Sequence, residues 1–211
     1  MSICVQQDLD ILQYSYKKIN DADGSVISIH DYECDPLSWR EFVKRDHYLV
    51  CVWGNCIRRS IIETHHLRFD ERIHLAEDQL FIMSAISFSN RIAQTKRCYY
   101  NYVQNPVSAT HNPKTEDMIQ SSIALFEFGK RNNAFKPQID RMISTFYVDL
   151  LMLQKGDERE LNKVYKSENI QMDNLVMKRH KILCIFSLLG LKIASIIVFL
   201  YIKIVDIISS K

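Results

Sequence analysis

The sequence predicts an α/β fold in which a hairpin, several helices and a tyrosine-rich strand are followed by a helical tail. Three observations support this class. Apolar and polar residues alternate near the N-terminus, and apolar residues recur at helical spacing further along the chain. Glycine and proline are scarce, at five and four in 211 residues, which favours long uninterrupted elements.

Composition limits the class of protein. A hydrophobic share of 47% and a charged share of 25% are typical of a globular chain. The formal net charge is only +2, which gives no electrostatic reason to expect a nucleic-acid partner. The six cysteines form no CxxC pair, so we expect reduced thiols in a cytosolic compartment. No signal peptide is expected at the N-terminus.

The N-terminal elements are predicted from turn and cap residues. Residues 9–30 are predicted to form a hairpin, because alternating segments flank the turn sequence NDADG. Asp35 and Pro36 predict the start of a helix, with an N-cap acid followed by proline, that runs through SWREFVKRDHYL. A second helix is expected over residues 56–65, after an aromatic-glycine break.

The following elements are predicted from periodicity. RFDERI is expected to be a short extended segment, and a helix is predicted from Glu77 onward. The segment RIAQTKRCYYNYVQ is typical of a strand, with Tyr100 and Tyr102 on one face. That face could be ordinary core or a platform on which an acceptor stacks. Helices are predicted for the remainder, over residues 115–132, 137–154 and 158–166 and in a long terminal segment.

A spaced set of motif residues lies between Trp53 and Thr110. It comprises Trp53, Arg58, Arg59, Phe69, Glu71, Glu77, Asp78, Tyr100, Tyr102, Ser108 and Thr110. This set resembles the second half of bacterial family 2 glycosyltransferases, with their W-x-K-x-Y-R-R-like helix, E-D helix start and Y-x-Y-R strand. The resemblance covers about residues 8–112. It implies the C-terminal half of a GT-A-like fold (hairpin, helices, Tyr-rich strand) followed by a helical tail.

The resemblance implies an inverting transfer of a sugar from a nucleotide diphosphate donor to a surface-polysaccharide acceptor. Such a displacement needs a carboxylate that takes the acceptor's proton, and the family's base corresponds to Asp78. Glu77, Trp53 and Tyr102 are then expected to contact the acceptor or orient the site. A helix N-terminus suits a base, because its N–H groups favour an ionised carboxylate. The alternative is that both acids only cap the helix.

The sequence departs from the family pattern. Asn55, Ile57 and Val103 stand where the family often has lysine, tyrosine and arginine. The D-D-G-S and D-x-D motifs, which bind nucleotide and metal in the family, are not found before Met1. We therefore expect the chain to bind no cofactor alone and to be inactive alone. A divalent metal (Mn or Mg) is expected only with the missing N-terminal half.

Two groups of residues raise the question of a metal site within the chain itself. Asp21 and Asp23 lie in DADGS, but Asp and Gly are common turn residues, and a turn is the preferred interpretation. His65, His66, His74 and His111 match no HExxH pattern, so solvated or capping histidines are expected. No metal site is predicted.

An apolar stretch at residues 182–202 is long enough to span a bilayer. Lys192 near its middle disfavours a lone span by roughly 2.5–3.5 kcal/mol. Because Lys181, Lys192 and Lys203 fall near one line of a helix, a helix lying in the membrane interface is preferred. A spanning helix in an oligomer and a soluble core helix remain as alternatives. The predicted location is the cytoplasmic face of the membrane, peripheral or single-pass, with membrane lipid as partner.

Three parts are predicted along the chain: a partial glycosyltransferase domain on the acceptor side at 1–112, a helical extension at 113–180 and an apolar membrane-associating helix at 181–211. Nucleotide sugar and glycan acceptor are expected partners once an N-terminal half completes the site. Two functions stay open. One is a truncated or split inverting glycosyltransferase, and the other is a non-catalytic remnant that binds membrane or a partner. An adjacent reading frame encoding the missing motifs would favour the first.

Overall fold

The computed structural model describes residues 2–104 and 114–153. The chain divides into two compact units, Met1–Lys136 and Pro137–Lys211. The second unit is described only as far as residue 153. The domain boundaries drawn from the sequence, at residues 112 and 180, therefore stay predictions. So do the helix over residues 158–166 and the terminal apolar helix, which lie outside the described residues.

The first unit is built on a five-stranded sheet in the part of the chain that the structure describes. Its strands are β1 Ile11–Asn20, β2 Val26–His30, β3 Cys34–Leu37, β4 Asn55–Ile57 and β5 Ile92–Gln104. The central strand β1 pairs antiparallel with β2 and β4 and parallel with β5. The far edge of β5 pairs antiparallel with β3. The predicted α/β class, the hairpin and the tyrosine-rich strand are confirmed.

The hairpin turn uses its own polar side chains. Asp23 Oδ1 accepts hydrogen bonds from the Ser25 N–H at 3.0 Å and from the Ser25 hydroxyl at 2.7 Å. Asn20 Oδ1 accepts from the Ala22 N–H at 2.9 Å. Gly24 has a φ of +68°, a left-handed conformation that glycine adopts without steric cost. These contacts account for the DADGS sequence as a turn.

The helices, in chain order, are α1 Ser2–Gln6, α2 Trp39–Lys44, α3 Arg59–Thr64, α4 Glu77–Ser87, α5 Thr115–Arg131 and α6 Lys136–Leu153. The helix predicted from Glu77 and the one predicted over residues 115–132 are confirmed. The helix predicted over residues 137–154 is confirmed as far as residue 153. Two short 3₁₀ turns, Val52–Gly54 and Asn133–Phe135, complete the described elements. Helices α2 and α3 begin at later residues than the sequence predicted.

The predicted helix start at Asp35 and Pro36 is wrong, because both residues belong to strand β3. Proline is tolerated there since β3 is an edge strand, where a missing N–H need not break a ladder bond. The helix starts at Trp39 instead, after Ser38. The Ser38 N–H and hydroxyl both donate to the Glu41 carboxylate, at 3.1 and 2.6 Å, in a Ser-x-x-Glu start signal.

Two further predictions near this region are corrected. The helix expected over residues 56–65 starts only at Arg59, because residues 55–57 pair with β1 as strand β4. The segment RFDERI forms no strand and contains a turn at Glu71 and Arg72. In that turn the Asp70 carboxylate accepts hydrogen bonds from the Arg72 backbone at 3.1 Å and from its guanidinium at 2.6 and 2.8 Å.

The core of the first unit lies between the sheet and α4 and α5. The fully buried side chains of α4 are Ile82, Met83, Ala85 and Ile86, and those of α5 include Met118 and Leu125. Ile11 and Ile92, opposite each other on β1 and β5, are also fully buried. Burial of each large side chain stabilises the fold by roughly 1.5–3 kcal/mol. This core fixes the N-terminal end of α4 relative to the sheet.

No helix within residues 2–104 and 114–153 is long and apolar enough to cross a membrane. The apolar stretch at residues 182–202 lies outside these ranges. The membrane-associating helix therefore stays a prediction.

Candidate active site

The four site residues predicted from the sequence line one open cleft of about 440 Å³. Glu77 and Asp78 are the first residues of α4, Trp53 lies in the first 3₁₀ turn, and Tyr102 lies on β5. The other residues that line the cleft are Tyr16, Lys18, Cys51, His74, Leu75, Ala76 and Gln79. The fold thus brings together a helix start, a turn and two strands that are far apart in sequence.

Helix α4 starts from a strained residue. Ala76, the N-cap of α4, has φ +64° and ψ 18°, which is the left-handed region. A non-glycine residue in this region costs about 1–2 kcal/mol, so the surrounding structure must enforce it. Ala76 is buried, and Ser121 of α5 donates a hydrogen bond to the neighbouring Leu75 carbonyl. Packing against α5 therefore holds the turn that aims the Glu77–Asp78 pair.

Asp78 is half-buried in the cleft, and its pKa is raised. Burial is the main cause, and the negative charge of the adjacent Glu77 adds to it. The backbone amides of Gln79 and Val52 act in the opposite direction but do not cancel these effects. The backbone N–H groups favour the ionised carboxylate, as expected, but its desolvation outweighs them. A raised pKa makes Asp78 a stronger base.

Cys51 lies in the same cleft and was missed as a site residue. Burial and the nearby charge of Asp78 raise the pKa of its thiol to about 12. The thiol therefore stays protonated at neutral pH and is unsuited to act as a nucleophile. Cys51 is half-buried and forms no disulfide.

Trp53 is held among the tyrosines of the sheet. Its ring stacks on Tyr100 at 4.6 Å between centroids and tilts against Tyr102 at 5.4 Å. Tyr16 of β1 meets the same ring edge-on at 4.8 Å. The Tyr14 hydroxyl donates a hydrogen bond to the Trp53 carbonyl. The prediction that Tyr100 and Tyr102 share a face is confirmed, and of the two only Tyr102 lines the cleft.

A buried amide network positions the segment before Trp53. The fully buried Gln13 side chain exchanges hydrogen bonds with both backbone groups of Leu49 and donates to Asn55 Oδ1 at 2.7 Å. Gln94 of β5 donates to Gln13 Oε1 at 3.2 Å and to the His47 carbonyl at 2.8 Å. Strands β1 and β5 therefore fix the loop that leads to the cleft. The sequence signal that could have revealed this network is a glutamine at a core-facing position of the alternating strand.

Gly54 is required by a close approach. A Cβ at this position would lie 2.6 Å from Leu49 Cδ1, which is well inside van der Waals contact. The aromatic-glycine break in the sequence thus marks a tight turn packed against Leu49.

Other motif residues make contacts that stabilise the fold and do not line the cleft. Arg58 forms ion pairs with Asp8 at 2.5 Å and Asp10 at 3.2 Å and donates to the Leu9 carbonyl. Arg59 pairs with Glu63, and Phe69 stacks on Phe81 at 4.5 Å. Ser108 and Thr110 lie outside the described residues. The motif therefore mixes residues that line the site with residues that hold α3 and the sheet together.

A second cavity, of about 400 Å³, lies beside the cleft between α4 and α5. Glu77 borders both cavities. Apolar side chains line much of the second cavity, among them Leu80, Phe81, Ile123 and Phe128. Charged side chains, including Arg68, Arg72 and Arg131, also line it, so Glu77 lies between an aromatic cleft and a cavity of mixed lining.

The expected divalent metal has no fitting site in the described part of the chain. Within residues 2–104 and 114–153, no group of three or more His, Cys, Asp or Glu side chains could hold a metal ion. Asp23 uses one carboxylate oxygen for the two hydrogen bonds from Ser25 in the turn. We therefore derive no step through a metal from these residues.

No protein-family profile matches the chain. It is 39% identical over 66 residues to the uncharacterized glycosyltransferase EpsJ of Bacillus subtilis (strain 168), a match that covers 31% of this chain and 19% of EpsJ. The sequence match confirms the resemblance, and the chain is glycosyltransferase-like.

Solved structures of S. aureus TarS are similar to part of the chain. TarS 1–349 in complex with UDP-GlcNAc is 17% identical, with a TM-score of 0.44, and the match covers 72% of this chain and 43% of that one. A longer TarS structure is 18% identical, with a TM-score of 0.41, over 79% of this chain and 36% of that one. The chain thus spans less than half the length of these relatives.

Proposed function

We propose that the chain forms the acceptor side of an inverting family 2 glycosyltransferase with a GT-A-like fold. The observation that supports this most is the shared cleft. In it a half-buried carboxylate with a raised pKa, Asp78, lies with Trp53 and Tyr102. A cavity with aromatic walls and a few polar groups suits a small organic ligand, and a raised carboxyl pKa suits a base.

The proposed reaction is a single displacement. The acceptor hydroxyl oxygen forms a bond to the anomeric carbon of the donor sugar, and its proton passes to the Asp78 carboxylate. The bond between the anomeric carbon and the diphosphate oxygen breaks at the same time, and its electron pair stays on that oxygen. Asp78 then loses the proton to solvent. Configuration at the anomeric carbon is inverted because the two bonds lie on opposite sides of it.

The neighbours of Asp78 serve this step. Glu77 raises the pKa of Asp78 by its charge and is placed at the cleft border, where it can accept a hydrogen bond from an acceptor hydroxyl. Trp53 and Tyr102 provide flat apolar surfaces against which a sugar ring can pack. The strained cap at Ala76 and the buried Gln13 amide keep these groups in place.

Further parts of the proposal rest on the resemblance. Nucleotide and divalent metal (Mn or Mg) are assigned to a donor-binding part outside this sequence. The acceptor is proposed to be a surface-polysaccharide glycan. The apolar segment at residues 181–211 would hold the protein at the cytoplasmic face of the membrane through lipid contacts. A non-catalytic module that binds membrane or a partner is the alternative. It is favoured by Asn55, which stands at a basic position of the family and is used structurally here.

The decisive experiment compares Asp78→Asn with Asp117→Asn. Both acids lie in the first turn of a helix, Asp78 in α4 and Asp117 in α5, but only Asp78 lines the cleft. With the chain joined to a donor-binding part, Asp78→Asn should lower sugar transfer about 10²–10⁴-fold. Asp117→Asn should leave transfer unchanged. Full transfer by the Asp78 variant would show that Asp78 is only a first-turn acid.

A further inference from the structure

Lys18 lies in the cleft but has no part in the proton transfer described above. It belongs to β1, where its backbone is flanked by Ser28 of β2 and Tyr102 of β5. Its side chain is half-buried and lines the same cleft as Glu77 and Asp78. A lysine between two hydrogen-bonded strands is anchored at its backbone, while its four-carbon stem lets the ammonium adjust.

The charge of Lys18 has no acidic partner within the described ranges, although two carboxylates line its cleft. Two other lysines are paired: Lys96 lies 2.6 Å from the Glu33 carboxylate, and Lys130 lies 2.6 Å from Glu127. An ammonium without a direct ion-pair partner on the wall of a part-buried cleft is available to a ligand of opposite charge.

We propose that the Lys18 ammonium binds the diphosphate of the sugar donor and stabilises the negative charge that develops on it as the sugar leaves. This inference rests on the proposed function. As the new bond to the acceptor oxygen forms, the electron pair of the broken bond passes to the diphosphate oxygen. A cation beside that oxygen is worth more in the transition state than in the ground state. Charge-assisted hydrogen bonds from lysine to phosphate are short and strong.

Lys17 provides a matched control. It is adjacent on the same strand, is similarly half-buried and carries the same charge. Successive side chains of a strand point to opposite faces, and Lys17 does not line the cleft. Its strand neighbours are Ile29 and Asn101. If only the total charge of β1 affected diphosphate binding, both lysines would contribute to it. If the cleft holds a specific diphosphate site, only Lys18 would contribute.

The first experiment measures binding to the chain alone. The lysines of the full chain are dimethylated with ¹³C-formaldehyde, which keeps their charge, and inorganic pyrophosphate is titrated while NMR follows each methyl signal. The Lys17 and Lys18 signals are assigned from their loss in Lys17→Arg and Lys18→Arg. We expect a saturable shift of the Lys18 signal and a small, non-saturating shift of the Lys17 signal. Equal shifts, or none at Lys18, would overturn the proposal.

The second experiment measures transfer with the donor-binding part present. Lys18→Met should lower kcat about 10²-fold, Lys18→Arg should recover part of the loss, and Lys17→Met should have no effect. If Asp78→Asn abolishes transfer while Lys18→Met does not alter it, the role of Lys18 is refuted and the proposed function stands. If no form of the protein transfers sugar, a pyrophosphate-dependent shift at Lys18 would keep the anion site but refute its part in catalysis.

Discussion

Gln13 and Leu49 exchange two hydrogen bonds. The side-chain amide of Gln13 donates to the Leu49 carbonyl at 2.6 Å, and its oxygen accepts from the Leu49 N–H at 2.9 Å. In an antiparallel sheet, two opposite residues exchange two backbone hydrogen bonds in the same way. Here the side-chain amide of Gln13 takes the place of one backbone. It fastens the loop before Trp53 to the central strand. One wall of the cleft therefore depends on a buried amide.

We expect Gln13→Leu to destabilise the fold by about 3 kcal/mol. The change leaves the Leu49 N–H and carbonyl buried without partners, and each unsatisfied group costs about 1–3 kcal/mol. Urea unfolding followed by circular dichroism measures the difference. Gln7→Leu is the control, since Gln7 is exposed and outside the sheet. Equal unfolding midpoints for the two variants would contradict a structural role for the Gln13 amide.

Gly54→Ala should both destabilise the fold and disturb the cleft. The added Cβ would meet Leu49 Cδ1 at 2.6 Å, and forcing a methyl group into a packed site costs about 1–3 kcal/mol. Gly24→Ala separates this clash from backbone strain, because Gly24 has a positive φ but no atom near its missing Cβ. We expect both variants to unfold more easily but only Gly54→Ala to reduce transfer. Normal transfer by Gly54→Ala would show that the Trp53 turn tolerates displacement.

Asp78→Asn should make the protein more stable near neutral pH while making it inactive. Because the folded-state pKa of Asp78 is raised, the folded state binds the proton more tightly than the unfolded state. The contribution of Asp78 to stability is then present at low pH and is lost as pH rises from the unfolded pKa through the folded pKa. An asparagine avoids that loss, and thermal unfolding at pH 7 measures the gain in Tm.

Asp23→Asn is a control for this prediction, because its Tm at pH 7 is expected to change in the opposite direction. Hydrogen bonds from Ser25 lower the pKa of Asp23, so its contribution to stability is present at neutral pH and lost on acidification. The Tm at pH 7 should therefore fall slightly in Asp23→Asn and rise in Asp78→Asn. A decrease in both variants would mean that the amide contacts of Asp78 outweigh its desolvation.

Deleting residues 182–211 should move the protein from the membrane pellet to the soluble fraction. The expectation comes from the sequence, because roughly 1.5–3 kcal/mol per buried large side chain favours insertion of this apolar stretch over solvation. Fractionation of cells expressing the full and shortened chains tests it. A full chain that is already soluble without detergent would refute membrane association.

The sequence predicted those elements whose apolar spacing or alternation is visible within one continuous segment. Helix α4 follows from apolar spacing after Glu77, and the shared face of Tyr100 and Tyr102 follows from strand alternation. The resemblance then selected Asp78, Glu77, Trp53 and Tyr102, and all four line the same cleft.

What the sequence did not predict depends on contacts between distant segments. Asp35 and Pro36 look like a helix start locally, but pairing of β3 with β5 makes them a strand. The rise in the pKa of Asp78 follows from burial, which has no local signature. Gln13 is ordinary in composition and becomes important only because Leu49 meets it across the fold.

The parallel pairing of β1 with β5 has a consequence for how the protein is made. It sets Ile11 beside Ile92 and Lys18 beside Tyr102, so one wall of the cleft joins the start of the chain to a strand synthesised much later. Pairings of such sequence separation form late and slowly. While β5 is still inside the ribosome, the nascent chain can form the hairpin of β1 and β2. It cannot yet form the wall of the cleft that contains Tyr102. The cleft is therefore complete only after β5 has been synthesised and has paired with β1.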